Sequence, residues 1–250
     1  MARQADNGLI FAGNTFIRNR KIPNSGFIEV GNVTSLALKS ESETKERTSK
    51  QRESYGQALD SLNTPKPTTI ALKCDTFDRK NFALALMGED VDFSQTEETV
   101  TDHPVVIGKK GQWYSLGKAN IDPDTVVVKS ATDVDVDETA FEINSELGMI
   151  LIVDASTTVQ AGDSIKVSFK TLAAKGFKIN AGTIDSFDLE IKVVGQNRTT
   201  GKKGTLHIPS AVVGADSEID WFGDDFAESS LSGTAVKSGT NPTYSFTELE

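Results

Sequence analysis

Residues 187–193 alternate without a break: Phe187, Leu189, Ile191 and Val193 are apolar, and Asp188, Glu190 and Lys192 are charged. Side chains along a strand point to opposite faces with a period of two, so this pattern buries one face and leaves the other wet. The same period recurs in residues 68–74, with Ile70, Leu72 and Cys74 on one side, and at Tyr244 and Phe246. Helical spacing stands out in one place, residues 78–88, where Phe82, Ala85 and Leu86 fall at i, i+3 and i+4. Asp75 or Asp78 can cap its start, and Gly88 is a natural stop. The patterning predicts a mainly β fold with one helix.

Turn residues divide the chain. Residues 1–35 hold Gly8, Gly13, Asn14, Pro23, Asn24, Gly26, Gly31 and Asn32, leaving short strands at 27–30 and 35–38. Residues 39–55 contain no large apolar residue before Tyr55 and interleave charges of both signs, which predicts a mobile, solvated excursion between strands. Residues 89–102 carry six acids and no base, and they read as a linker. Residues 103–173 then run through short strands at regular spacing, with turn signals such as Asp122-Pro123-Asp124 between them, which is a β-sandwich pattern. Residues 195–204 read as a basic loop and 214–228 as an acidic segment. The predicted organisation is a discontinuous core domain, 1–92 with 176–250, and an inserted domain, 93–175.

Composition limits the chemistry. The chain has 250 residues, 37% of them hydrophobic, and its apolar stretches, such as 149–153, do not exceed six residues. A spanning helix needs about 20 apolar residues, so no membrane helix is expected. Residues 1–8 show neither an apolar stretch nor a cleavage pattern, so no secretory signal is expected and synthesis belongs in a cytoplasm. One cysteine and two histidines cannot build a Cys/His zinc site. A net charge of −10 argues against binding the DNA backbone, where affinity comes from Lys and Arg.

Motifs for catalysis fail on inspection. Residues 195–203 resemble a phosphate-binding loop, but five residues separate Gly195 from Gly201 and Lys203 stands where Ser or Thr is required. Asp133, Asp135 and Asp137 resemble the start of a calcium loop, yet Glu138 and Asn144 occupy the positions that need Gly and Glu. Their plain reading is an exposed acidic strand or loop edge. His103 and His207 have no nucleophile or carboxylate near them in sequence and read as structural or surface residues. Asn197-Arg198-Thr199 matches a glycosylation acceptor that a chain without a signal would never present. Cys74 reads as a small core residue, and Trp113 and Trp221 as core or interface aromatics. The expectation is a protein that is not an enzyme and uses no cofactor and no metal.

The order of features is similar to that of phage tail tube proteins. Residues 28–38 run into the charged excursion, followed by the strand at 68–73 and the helix ending at Gly88. Gly111-Gln112-Trp113-Tyr114-Ser115-Leu116-Gly117, Phe141-Glu142-Ile143 with Gly148, and Gly162 before residues 165–169 resemble the middle of such proteins. Residues 187–197 with Gly201 resemble their final strand and turn.

The resemblance implies a major tail tube subunit of a long-tailed bacteriophage. Its fold would be a β-sandwich or barrel of two packed sheets with one flanking helix, here with a small inserted immunoglobulin-like β-sandwich. It implies hexameric rings stacked into a tube in the virion. Tip and terminator proteins would be partners, and double-stranded DNA would pass through the lumen without specific binding. Glu41, Glu43, Lys45, Glu46, Arg47, Lys50 and Arg52 become candidate inter-ring contacts. Asp188, Glu190 and Lys192 become a candidate lumen face, with a net negative charge that would repel DNA. The alternatives are a tube subunit of a contractile injection or type VI secretion system, and a calcium-dependent carbohydrate-binding module using the carboxylates of 133–138.

Overall fold

The computed structural model describes residues 7–216 and 218–249. The strands begin with β1 (Phe11–Asn19), β2 (Ile28–Glu29), β3 (Val33–Lys39), β4 (Ser42–Thr48), β5 (Ala58–Pro65) and β6 (Thr68–Cys74), and helix α1 (Arg79–Ala85) follows. Next come β7 (Glu89–Gln95), β8 (Glu98–Val106), β9 (Trp113–Ser115), β10 (Ile121–Lys129), β11 (Phe141–Asn144), β12 (Met149–Ile152), β13 (Ser164–Thr171) and β14 (Ala174–Asn180). The last four are β15 (Phe187–Asn197), β16 (Lys203–Ala215), β17 (Ser229–Ala235) and β18 (Ser245–Glu248). The described residues up to Asp90 and from Ile179 form one compact unit, and Val91–Lys178 forms a second. Both changes of unit fall within β7 and β14, which pair as a two-stranded ribbon.

The first unit is built on one eight-stranded antiparallel sheet in the order β2-β1-β15-β16-β17-β6-β3, with β18 also paired to β16. Hydrogen bonding is continuous across it, so the two packed sheets expected for this core are a single sheet by pairing. β1 and β6 stand four places apart, about 19 Å in a flat sheet. Yet Ile17 of β1 and Leu72 of β6 line the same gap of about 10 Å³. The sheet therefore curls round its own core. Phe187, Leu189, Ile191 and Val193 fill that core together with Ile208 and Leu231, as the alternation predicts.

α1 packs on this core through Leu84, with Met87 just beyond its end. Asp78 caps it, its carboxylate accepting from Asn81 N at 2.8 Å. Buried Asn81 ties the helix down by donating from Nδ2 to the carbonyls of Val30 (2.7 Å) and Thr76 (2.9 Å). The helix stops one residue earlier than its glycine suggests. Met87 takes the left-handed conformation (φ 48°). Gly88 serves close approach instead, because a Cβ there would lie 2.4 Å from the Asn180 carbonyl oxygen.

β1 corrects the reading of 1–35 as short pieces. It is nine residues long and runs through Gly13 and Asn14, which looked like turn residues. Gly13 stands opposite Gly195, and Gly195 opposite Gly204, so three strands meet where none has a side chain. A Cβ on Gly13 would lie 2.3 Å from the Val194 carbonyl oxygen. Phe11 and Phe246 pack edge to face there at 5.9 Å, their rings lying where a Cβ on Gly204 would go. The basic loop expected over 195–204 is correspondingly shorter, since β15 continues to Asn197 and β16 starts at Lys203.

The second unit holds two three-stranded antiparallel sheets, β10-β13-β8 and β11-β12-β9. Val167 and Phe169 from the first sheet and Ile150 and Ile152 from the second belong to one apolar core. Two expectations fail here. The acidic linker of 89–102 is strand, namely β7 and the start of β8. Apart from part-buried Asp90, its charges are exposed, and all but Glu97 lie on strands. The turn expected at Asp122-Pro123-Asp124 lies inside β10, where the register shifts between Asp122 and Val127. Thr125 holds that bulge, donating to the Asp122 carbonyl (2.8 Å) and accepting from Lys170 N (2.9 Å).

Candidate functional site

Asp188, Glu190 and Lys192 leave β15 on the side away from the apolar core, but that side is not simply wet. Glu190 is only 7% exposed. Arg18 of β1 stands opposite it in register and forms an ion pair with it. His207 Nε2 of β16 lies 3.0 Å from its other carboxylate oxygen, and Lys192 Nζ lies 3.5 Å from the same oxygen. Burial by itself pushes the Glu190 carboxyl up. The hydrogen bonds from His207 and Arg18, with the charges of Arg18 and Lys192, outweigh this and hold it below the usual carboxylate range. Asp188 is paired with Arg20 at 3.1 Å and accepts from Ser210 Oγ at 2.8 Å. Phe27 lies under two of the cations, 5.1 Å from Arg18 and 4.6 Å from Lys192.

The face therefore carries cations that the strand alone does not show: Asp188 and Glu190 are paired with Arg18, Arg20 and Lys192. Sequence reasoning missed Arg18 and Arg20 because Gly13 and Asn14 hid β1. The usable signal was the local alternation of Thr15 and Ile17, both buried, with Phe16 and Arg18.

The charged excursion also differs from expectation. It is not a mobile loop: β4 pairs with β5 from Ser42↔Pro65 to Thr48↔Ala58. The resulting hairpin prolongs the β3–β6 pairing, with Lys66 N donating to the Glu41 carbonyl at 2.8 Å. Every residue of β4 and β5 is exposed. Glu43, Lys45, Glu46 and Arg47 lie on β4, Glu41 at its base, and Lys50 and Arg52 at its tip. Arg47 bridges to Asp60 at 2.6 Å, and Lys39 to Glu41 at 2.6 Å. Lys50 lies over the Tyr55 ring at 5.4 Å. Backbone pairing, invisible in a search for apolar alternation, is what orders this segment.

A cavity of about 630 Å³ opens beside α1 and β15, walled by Ile17, Ile22, Leu84, Ile184, Phe187 and Leu189. Lys21, Lys80, Glu89 and Asp90 stand among its polar residues. Asp90 is held by Arg79 (2.6 Å) and Lys80 (2.9 Å). Sequence analysis had no signal for this cavity, whose walls come from segments far apart in the chain.

The other motif residues have local structural partners. Asp133 bridges to Lys166 at 2.6 Å, and Asp137 caps a single 3-10 turn by accepting from Thr139 N at 2.9 Å. The three aspartates lie in a turn and loop rather than along one strand face, and no group of metal-ligating side chains gathers among the described residues. Asn197 is buried, and its side-chain oxygen accepts from Thr199 N at 3.1 Å, which shapes the 198–202 turn. Cys74 is buried as expected. Trp113 and Trp221 are exposed at 42% and 65%, which excludes the core half of the core-or-interface reading. Among the described residues no helix is long and apolar enough to cross a membrane.

Residues 9–245 match a family described as "Protein of unknown function UCP028589". The chain belongs to that family. In this family member the matched span takes in both units, the β4–β5 hairpin and the whole cavity lining. No curated protein matches the chain.

Proposed function

We propose that this chain is a structural protein that assembles with itself, as the major tail tube subunit of a long-tailed bacteriophage. Stacked hexameric rings would enclose the channel through which DNA leaves, and the chain would act in the virion without enzymatic chemistry or a cofactor. The first unit would be the tail-tube-type core, and the second an immunoglobulin-like module inserted into it. The order of features along the chain supports the family, and the curled sheet with one flanking helix is compatible with it.

The observation that carries the reading is the β4–β5 hairpin. A two-stranded ribbon exposed on both faces is marginal in water, and Leu59 and Leu62 stay exposed on it. Its open edges and charged side chains are groups that a neighbouring subunit can satisfy. Exposed ion pairs contribute little to affinity, so Glu43, Lys45, Glu46 and Arg47 would set register and partner choice. The cations paired with Asp188 and Glu190 weaken the repulsive-wall argument, and the lumen assignment of Asp188, Glu190 and Lys192 does not enter the proposal.

The test exploits the paired base of the arm. Glu41 and Lys66 are hydrogen-bonded, so residues 42–65 can be replaced by Asn-Gly, which closes a two-residue hairpin. Sedimentation velocity should show a folded monomer where the unaltered chain forms large assemblies. Assemblies of unchanged size would overturn the assembly role of the arm.

A further inference from the structure

Phe222 and Phe226 are the most exposed large apolar side chains among the described residues, at 97% and 101%. They lie in segment 218–228, which holds Glu218, Asp220, Asp224, Asp225 and Glu228 and no Lys or Arg. The segment is anchored on both sides of these rings. Trp221 stacks on Phe82 of α1 at 6.0 Å with 18° between the planes, and Asp220 accepts from Phe222 N at 3.0 Å. Glu228 bridges to Lys73 at 3.1 Å. Two phenyl rings are thus held out in water on a tethered acidic segment, an arrangement that only a partner surface makes favourable.

The same unit contains a matching receptor. The α1–β15 cavity has apolar walls and a volume of about 630 Å³, in the range of sites that enclose sizeable apolar groups. Among its polar lining residues are Lys21 and Lys80 with Glu89 and Asp90. Asp90 is already taken by Arg79 and Lys80, whereas Lys21 Nζ bonds to the uncharged carbonyl and hydroxyl of Ser186 at 2.8 and 3.1 Å. Lys21 therefore offers the cavity mouth a positive charge not spent on a carboxylate, which an acidic segment can use.

We infer that segment 218–228 of one copy seats Phe222 and Phe226 in the α1–β15 cavity of a neighbouring copy, its carboxylates meeting Lys21. α1 serves both sides of the contact: Phe82 props the segment, and Ala83 and Leu84 line the cavity. Projection and cavity are different surfaces of one subunit, so the contact is head-to-tail and propagates into a ring or an open filament. The inference rests on the proposal that the chain assembles with itself, but it does not depend on the β4–β5 arm.

The experiment co-expresses two full-length forms with tags of different size, one carrying Ala227→Cys and the other Ile22→Cys, and treats them with a short bis-maleimide. Cys74 is buried in both. A cross-linked heterodimer is expected, well above the background from a form with Val194→Cys, which lies outside the cavity lining. Adding Phe222→Ser and Phe226→Ser to the Ala227→Cys form should cut the adduct at least about tenfold, with an unchanged circular dichroism spectrum because both rings are exposed. Assembled protein whose adduct stays at the Val194 background would overturn the inference and leave self-assembly standing. An adduct undiminished by the two serines would overturn the seating of the rings. A chain that stays monomeric at every concentration and gives no adduct would overturn both.

Discussion

Arg18 of β1 and Glu190 of β15 stand directly opposite each other in strand register and form an ion pair on the face turned from the apolar core. The pair brings together residues 172 positions apart in sequence. It converts an alternating strand with one wet face into a strand with a tied, part-buried ionic face. Changing Glu190→Gln should lower the unfolding free energy by about 1–3 kcal/mol at neutral pH, because Arg18, Lys192 and His207 lose a charged acceptor in a partly desolvated place. Urea unfolding followed by circular dichroism measures this.

The same carboxylate makes a pH prediction. Its folded pKa is depressed, so its contribution is fully present above the unfolded value near 4.5 and is lost as pH falls through the lower folded value. The stability gap between the unaltered chain and Glu190→Gln should therefore close as pH falls from about 4.5 through the lower folded value. A gap unchanged at pH 3 would contradict the account of this site.

Gly195→Ala should destabilise the first unit by at least about 1–3 kcal/mol. A Cβ there would lie 2.3 Å from the Ala12 carbonyl oxygen and 2.8 Å from the Phe11 ring, and a backbone contact cannot rotate away. Thermal unfolding is the measurement. Gly176→Ala, with open space around its Cβ, is the control and should be close to neutral.

How much of this was legible follows from where the partners lie. The buried face of β15, the buried side of β6 and the start of α1 are set by local periodicity, and each is where the pattern places it. β1 was hidden because Gly13 and Asn14 carry a turn signal, whereas here Gly13 is required by Gly195 on another strand. β7 and β4 were hidden because strands exposed along most of their length need no apolar alternation. The burial of Glu190 was hidden because Arg18 and His207 reach it only through sheet order. Local pattern specifies which face of a strand is apolar; it does not specify what the polar face meets.

The two units have separate cores, and neither apolar cluster draws on buried residues of the other. Excising residues 91–178 and joining Asp90 to Ile179 through Gly-Ser should leave a folded first unit, because the backbones at Gly88 and Asn180 already lie side by side. Dispersed amide proton shifts in the shortened chain are expected. An insoluble product or a collapsed spectrum would show that the second unit completes the first.

Burial pushes the Cys74 thiol up, and the side chain is enclosed by the first unit's core. A thiol reagent should therefore titrate no cysteine in the native chain and one after denaturation. Fast native reaction would mean that β6 opens readily and that the sheet edge is not the stable support the arm requires.

The central claim is self-assembly, and negative-stain electron microscopy of the purified, unaltered chain tests it most directly. The account predicts rings, or hollow tubes of uniform diameter with a regular axial repeat. A field of dispersed single particles at every concentration and salt level examined would contradict it.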